Sequence, residues 1–166
     1  MVMLESRLRL LQEMPIFGGV TDAVLQRLLE PAPIVSFRKG DFFFHQGDPA
    51  NSMFVLEQGK LAVLKTCDGH DYLLRNLERG DCFGEMALLD LQPRSASVLA
   101  LEDSHAIEIS AAALYEIYQR DADQFVLIQM NMAREISRRL RAADDRLFQA
   151  RVEAKSVGGS YIFRSV

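Results

Sequence analysis

At 166 residues the chain is long enough for one domain with a buried core and an appended helix. With 49% hydrophobic and 25% charged residues it has the balance of an ordinary globular protein, which excludes a disordered or fibrous chain. Its formal net charge of −4 argues against a dedicated nucleic-acid binder, since those are usually basic.

Leucines at 4, 8, 10 and 11 predict one apolar face on a short helix over residues 2–13, broken by Pro15 and Gly18-Gly19. Thr21 is the expected N-cap of a second helix over residues 22–30, whose buried stripe is Val24, Leu25, Leu28 and Leu29. Pro31 and Pro33 stop it, and from Ile34 the period changes. Short strands are expected at 34–37, 42–45, 53–56, 61–65 and 72–77, punctuated by Gly40-Asp41, Gly47-Asp48, Gly59 and Gly80-Asp81. Asp68-Gly69 is a hairpin turn signal. Further strands at 98–100 and 106–109 complete seven or eight, the pattern of an all-β sandwich or jelly roll. Ser110 then caps a helix over 111–119, and Asp121 or Asp123 caps a long one over 123–151. Apolar residues at 125, 128, 132, 136, 140, 143 and 147 form one stripe along that helix. Its first half is expected to pack on the roll, leaving Leu140 and Leu147 for a second chain. The opposite face mixes Arg134, Arg138, Arg139, Arg141, Arg146 and Arg151 with Glu135, Asp144 and Asp145, as solvated faces do.

One stretch stands apart. Residues 83–98 read FGEMALLDLQPRSASV. Gly84 has no side chain to block a ligand. Residues 86–91 form a short run of helix formers ended by Pro93, and free N–H groups at such a start face negative charge. Arg94 suits a phosphate, to which it can give two parallel charge-assisted hydrogen bonds. Glu85 accepts only, which is wrong for phosphate and right for a sugar hydroxyl. Together these residues describe a site for a sugar phosphate.

The set Phe83, Gly84, Glu85, Ala87, Leu88, Pro93, Arg94, Ser95 and Ala96, at this spacing, resembles the phosphate-binding cassette of the cyclic-nucleotide-binding domain family. The likeness runs from about residue 16 to 147. It implies a mainly β fold with flanking helices: an eight-stranded jelly roll followed by a long C-terminal helix, in the manner of catabolite activator-type sensor domains. It implies a cyclic phosphate on the amides of Met86 and Ala87, with Arg94 opposite and Ser95 adding a hydroxyl. Glu85 takes the ribose 2′-hydroxyl, and Phe83, Gly84 and Ala96 complete the cassette. The base then meets the long helix. In cyclic-AMP-selective relatives hydroxyl residues there contact adenine; the matching positions here are Ala143 and Asp144, so Asp144 is the expected base contact. Ser95 stands where threonine often marks cyclic-GMP sites, which favours cyclic AMP over cyclic GMP.

Other chemistry is poorly represented. His45, His70 and His105 are not at metal-ligand spacing, and there is no nucleophile elbow or Walker loop, so a non-enzyme is expected, with no cofactor and no metal. Cys67 and Cys82 form no CxxC pair, no run approaches the ~18 apolar residues of a membrane span, and no signal peptide is legible; these point to the cytoplasm and to no membrane partner. The expected organisation is helices over 1–30, the roll over 31–110, C-terminal helices over 111–151 and a flexible tail over 152–166. That tail is too short for a helix-turn-helix domain. The expected function is a sensor that dimerises through the long helix and signals to an effector protein, without specific nucleic-acid binding. The alternatives are a regulator of catabolite activator type that lacks its own DNA-binding domain, and a nucleotide-free scaffold or dimerisation module.

Overall fold

Residues 52–58 and 104–110 carry apolar side chains on both faces, which a strand tolerates only if both sides of its sheet are covered. The computed structural model shows how. It describes residues 2–157, with side chains described for 3–154. Two antiparallel four-stranded sheets face each other. The first has the order β1 (Ile34–Phe37), β8 (Ser104–Ser110), β3 (Ser52–Gln58), β6 (Cys82–Phe83). The second runs β2 (Phe42–Phe44), β7 (Ser97–Ala100), β4 (Leu61–Cys67), β5 (His70–Leu77). Phe54 and Leu56 of β3 and Ala106 of β8 face the second sheet, where they meet Leu61, Val63, Leu77, Val98 and Ala100. Met53, Val55, Ile107 and Ile109 point the other way, into a core with the helices. The architecture is an eight-stranded β jelly roll with flanking helices and a long C-terminal helix, as the family resemblance implied.

The helical layer comprises α1 (Val2–Glu13), a short turn at Pro15–Phe17, α2 (Asp22–Leu29), α4 (Ala111–Arg120) and the first part of α5 (Ala122–Val157). Leu10 and Leu11 of α1 are buried, but Leu4 is exposed, so the leucine face is in use only towards its C-terminal end. The stripe of α2 is buried as expected. Thr21 holds the N-cap position, yet its side chain makes no cap bond; its backbone N–H instead donates to Gln124 Oε1 at 2.8 Å. Ser110 does cap α4, its Oγ accepting from Ala113 N at 3.1 Å. Of the two candidates for α5, Asp121 is the cap, accepting from Gln124 N at 3.1 Å.

Asp68 and Gly69 both take positive φ, and they close the β4–β5 hairpin with Cys67 opposite His70. β6 was not legible. Its two residues are too few to show a period, and Cys82, which reads as the end of a turn, instead pairs with Val55.

The chain divides into a unit of residues 1–132 and a unit of residues 133–166. Ile128 and Met132 are fully buried in the first. In the second, α5 carries Glu135 paired with Arg138 and Arg139, and Leu140, Leu147, Phe148 and Val152 are exposed. The helix continues past residue 151 to Val157, so the tail expected from 152 begins as helix. The residues there, Val152-Glu153-Ala154-Lys155, carry no breaker before Gly158. The apolar group at 161–163 lies outside the described residues. Among the described residues, no helix is long and apolar enough to cross a membrane.

Candidate functional site

β6 delivers the chain to Gly84, which turns it with φ +78°. A side chain there would be strained, and its Cβ would collide with Arg94 Nη1 and lie 3.3 Å from Cζ. Glu85 follows at the N-cap of α3 (Met86–Asp90) with its side chain only 2% exposed. Leu88 and Leu89 anchor α3 on the helix-side core, and Ala87 is buried beside them. The helix ends before Pro93 is reached: Leu91 adopts a left-handed conformation, φ 55°, with its side chain in solvent.

The chain then returns through Arg94, whose backbone is clamped by the β2–β3 turn. Arg94 N donates to Asp48 O at 2.9 Å, and Gly47 N donates to Arg94 O at 2.8 Å. The side chain turns inward and is 6% exposed. Nη1 donates to Gly84 O at 2.9 Å and Nη2 to Ser52 Oγ at 3.4 Å. The guanidinium lies over the Phe44 ring, with Cζ 4.2 Å from its centroid. Nε is buried without a hydrogen-bond partner. Burial pulls the Arg94 pKa below its usual value, and the carboxylates of Glu108, Asp48 and Glu85 oppose that shift. A buried cation with an unmet donor costs ~1–3 kcal/mol for that donor alone. An acceptor with negative charge would remove the cost, and phosphate is one.

The structure distributes the expected site residues unevenly. Gly84, Glu85 and Arg94 come together, with Glu85 near enough to act on the Arg94 charge. Met86 and Ser95 are exposed at the rim, and Ser95 Oγ lies 3.9 Å from Met86 Sδ. Phe83 and Ala96 are different: both are buried in the core between the sheets, and Phe83 stacks on Phe54 at 5.2 Å. Their side chains shape the site from behind and present no surface to a ligand. Asp144 is exposed on α5 in the second unit. Sequence reasoning missed Phe44, Ser52 and Lys65, whose Nζ donates to Ser95 O at 2.6 Å. Each reads as an ordinary residue of a strand or its edge; only the register of β2, β3 and β4 brings them to the cassette.

A family model, the cyclic nucleotide-binding domain, matches residues 34–121. The cAMP-dependent protein kinase regulatory subunit of Hypocrea atroviridis is 38% identical over 93 residues, 56% of this chain and 19% of that protein. The cyclic AMP receptor protein of Thermus thermophilus is 32% identical over 131 residues, 78% of this chain and 59% of that protein. The chain therefore spans less than two thirds of either relative. A crystal structure of a cyclic nucleotide-binding domain from Methylobacillus flagellatus shares the fold, with a TM-score of 0.79 at 20% identity over 90% of this chain and 84% of that one. A match over residues 34–121 that takes in all eight strands and the whole Gly84–Arg94 arrangement leads to one conclusion: the chain belongs to the cyclic nucleotide-binding domain family.

Proposed function

We propose that this domain is a sensor that binds a cyclic purine mononucleotide, cyclic AMP in preference to cyclic GMP, and signals through α5 to an effector protein. The observation that carries the reading is the buried Arg94 guanidinium with an unmet Nε donor behind Gly84. The cyclic phosphate is held by Arg94, by the first amides of α3 at Met86 and Ala87, and by the Ser95 hydroxyl. Glu85 accepts from the ribose 2′-hydroxyl, Gly84 leaves room for the sugar, and Phe83 and Ala96 support the cassette from the core. For the base, the likeness to cyclic-AMP-selective relatives points to Asp144. Support for cyclic AMP comes from Ser95 and from the names of the fungal and Thermus relatives. Titration calorimetry with cyclic AMP, cyclic GMP and linear AMP tests the reading. Cyclic AMP is expected to bind tightest, and absence of binding by both cyclic nucleotides would sink it.

Glu85→Gln is expected to weaken cyclic AMP and cyclic GMP equally, by about 1–2 kcal/mol, because the ribose is common to both. A loss confined to one nucleotide, seen in the same calorimeter, contradicts the ribose assignment.

Leu140 and Leu147 are exposed on α5, and a two-fold axis would let two copies of that helix cover each other's strip. Leu140→Glu is then expected to give a folded monomer where the parent chain is a homodimer. Sedimentation of both, with and without nucleotide, decides it, and a parent chain that is monomeric throughout removes the dimer.

A further inference from the structure

The Arg94 guanidinium lies over an aromatic ring. Cζ is 4.2 Å from the Phe44 centroid and 5.5 Å from that of Phe54. The Phe44 ring is itself held by others, 5.9 Å from Phe54 and 6.1 Å from Phe83, and those two stack on each other. The platform is therefore fixed by core packing. A guanidinium carries its N–H groups in its plane, so stacking by the face leaves the edges free to bond. Here one edge serves Gly84 O and Ser52 Oγ, and the Nε–H is left over. The face of a phenyl ring is negative, and its attraction for a cation grows where water is excluded, as it is around Arg94.

We infer that Phe44 is a positioning residue: the negative face of its ring holds the Arg94 guanidinium in place behind Gly84, and so sets the affinity for the anionic cyclic phosphate. The inference rests on the reading of Arg94 as the phosphate ligand. It differs from a packing role in its cause. A ring that only fills the core acts through volume and apolar area. A ring that holds the cation acts through its charge distribution. Fluorine drains negative charge from the ring face with little change in size, so the two are separable.

The experiment uses the full chain with Phe44 replaced in turn by mono-, di- and trifluorinated phenylalanine. Cyclic AMP Kd is expected to rise stepwise, on the order of tenfold by the trifluoro ring. A second arm needs no ligand. The thermal midpoint is expected to fall along the same series, and to stay level when the series is repeated in Arg94→Met, which has similar reach and no charge. A chain that binds cyclic AMP with a level Kd across the series overturns the inference and leaves the functional reading intact. An equal fall in midpoint with Arg94 and with Arg94→Met also overturns it, because the ring would then be acting on its aromatic neighbours. Failure of the unsubstituted chain to bind cyclic AMP sinks the functional reading and the affinity claim together.

Discussion

Arg94→Ala is expected to weaken cyclic AMP binding by about 2–5 kcal/mol, the range for truncating one partner of a buried charged pair. Three things go at once. The ligand loses its only buried cationic contact among the described cassette residues, and the charge-assisted bonds to it. The charges of Glu85, Asp48 and Glu108, which act on Arg94 in the parent chain, are then no longer offset by that cation. Gly84 O and Ser52 Oγ lose their donors as well. The fold should survive. Arg94 N and O are tied to Asp48 and Gly47 through the backbone, which the substitution leaves in place. Arg94→Lys should fall between, since it keeps a charge but loses the planar fork. Calorimetry with circular dichroism as a check on folding measures both. Near-parental affinity in a folded Arg94→Ala protein would mean that the phosphate is held elsewhere.

The second large effect is on stability. Gly59→Ala is expected to cost about 2–5 kcal/mol, the sum of a backbone term and an overpacking term. Gly59 closes the turn from β3 to β4 with φ +106°, which a residue with a Cβ rarely adopts. A Cβ there would also strike Ser104 and sit 2.7 Å from its Cβ and 2.8 Å from its Cα. Ser104 cannot withdraw. It is fully buried at the start of β8, its Oγ donates to Glu102 O at 2.7 Å, and the obstructing Cα is backbone. The strain would fall on β3 and β8, whose side chains enter both cores. Urea denaturation of the two proteins is the check, and a shift below about 0.5 kcal/mol would be that of an ordinary surface substitution.

Much of this was legible because turns and periods are local. Gly40, Gly47, Gly59, Gly69 and Gly80 all take positive φ, and each marks a strand boundary in the sequence. The stripe of α2 and the exposed Leu140 and Leu147 follow from spacing alone. What escaped lies in a very short element, in backbone conformation, in register or in contacts distant in the chain. β6 is too short for a period. The Thr21 amide bonds across to Gln124, 103 positions away, and its hydroxyl makes no cap bond. Leu91 ends α3 by backbone conformation rather than by Pro93. At the site the cassette showed which residues gather, but not that Phe83 and Ala96 face inward. Nor did it show Phe44 and Ser52, which reach Arg94 from β2 and β3.

The unmet Nε–H of Arg94 is expected to donate to the cyclic phosphate. Nitrogen-15 NMR of the arginine Nε–H groups reads that atom itself, with Arg94 assigned by the signal lost in Arg94→Lys. Addition of cyclic AMP should move this resonance downfield and slow its exchange with water, while adenosine, which has the base and ribose but no phosphate, should leave it in place. An Arg94 signal that stays unmoved while cyclic AMP is shown by calorimetry to bind would contradict the account.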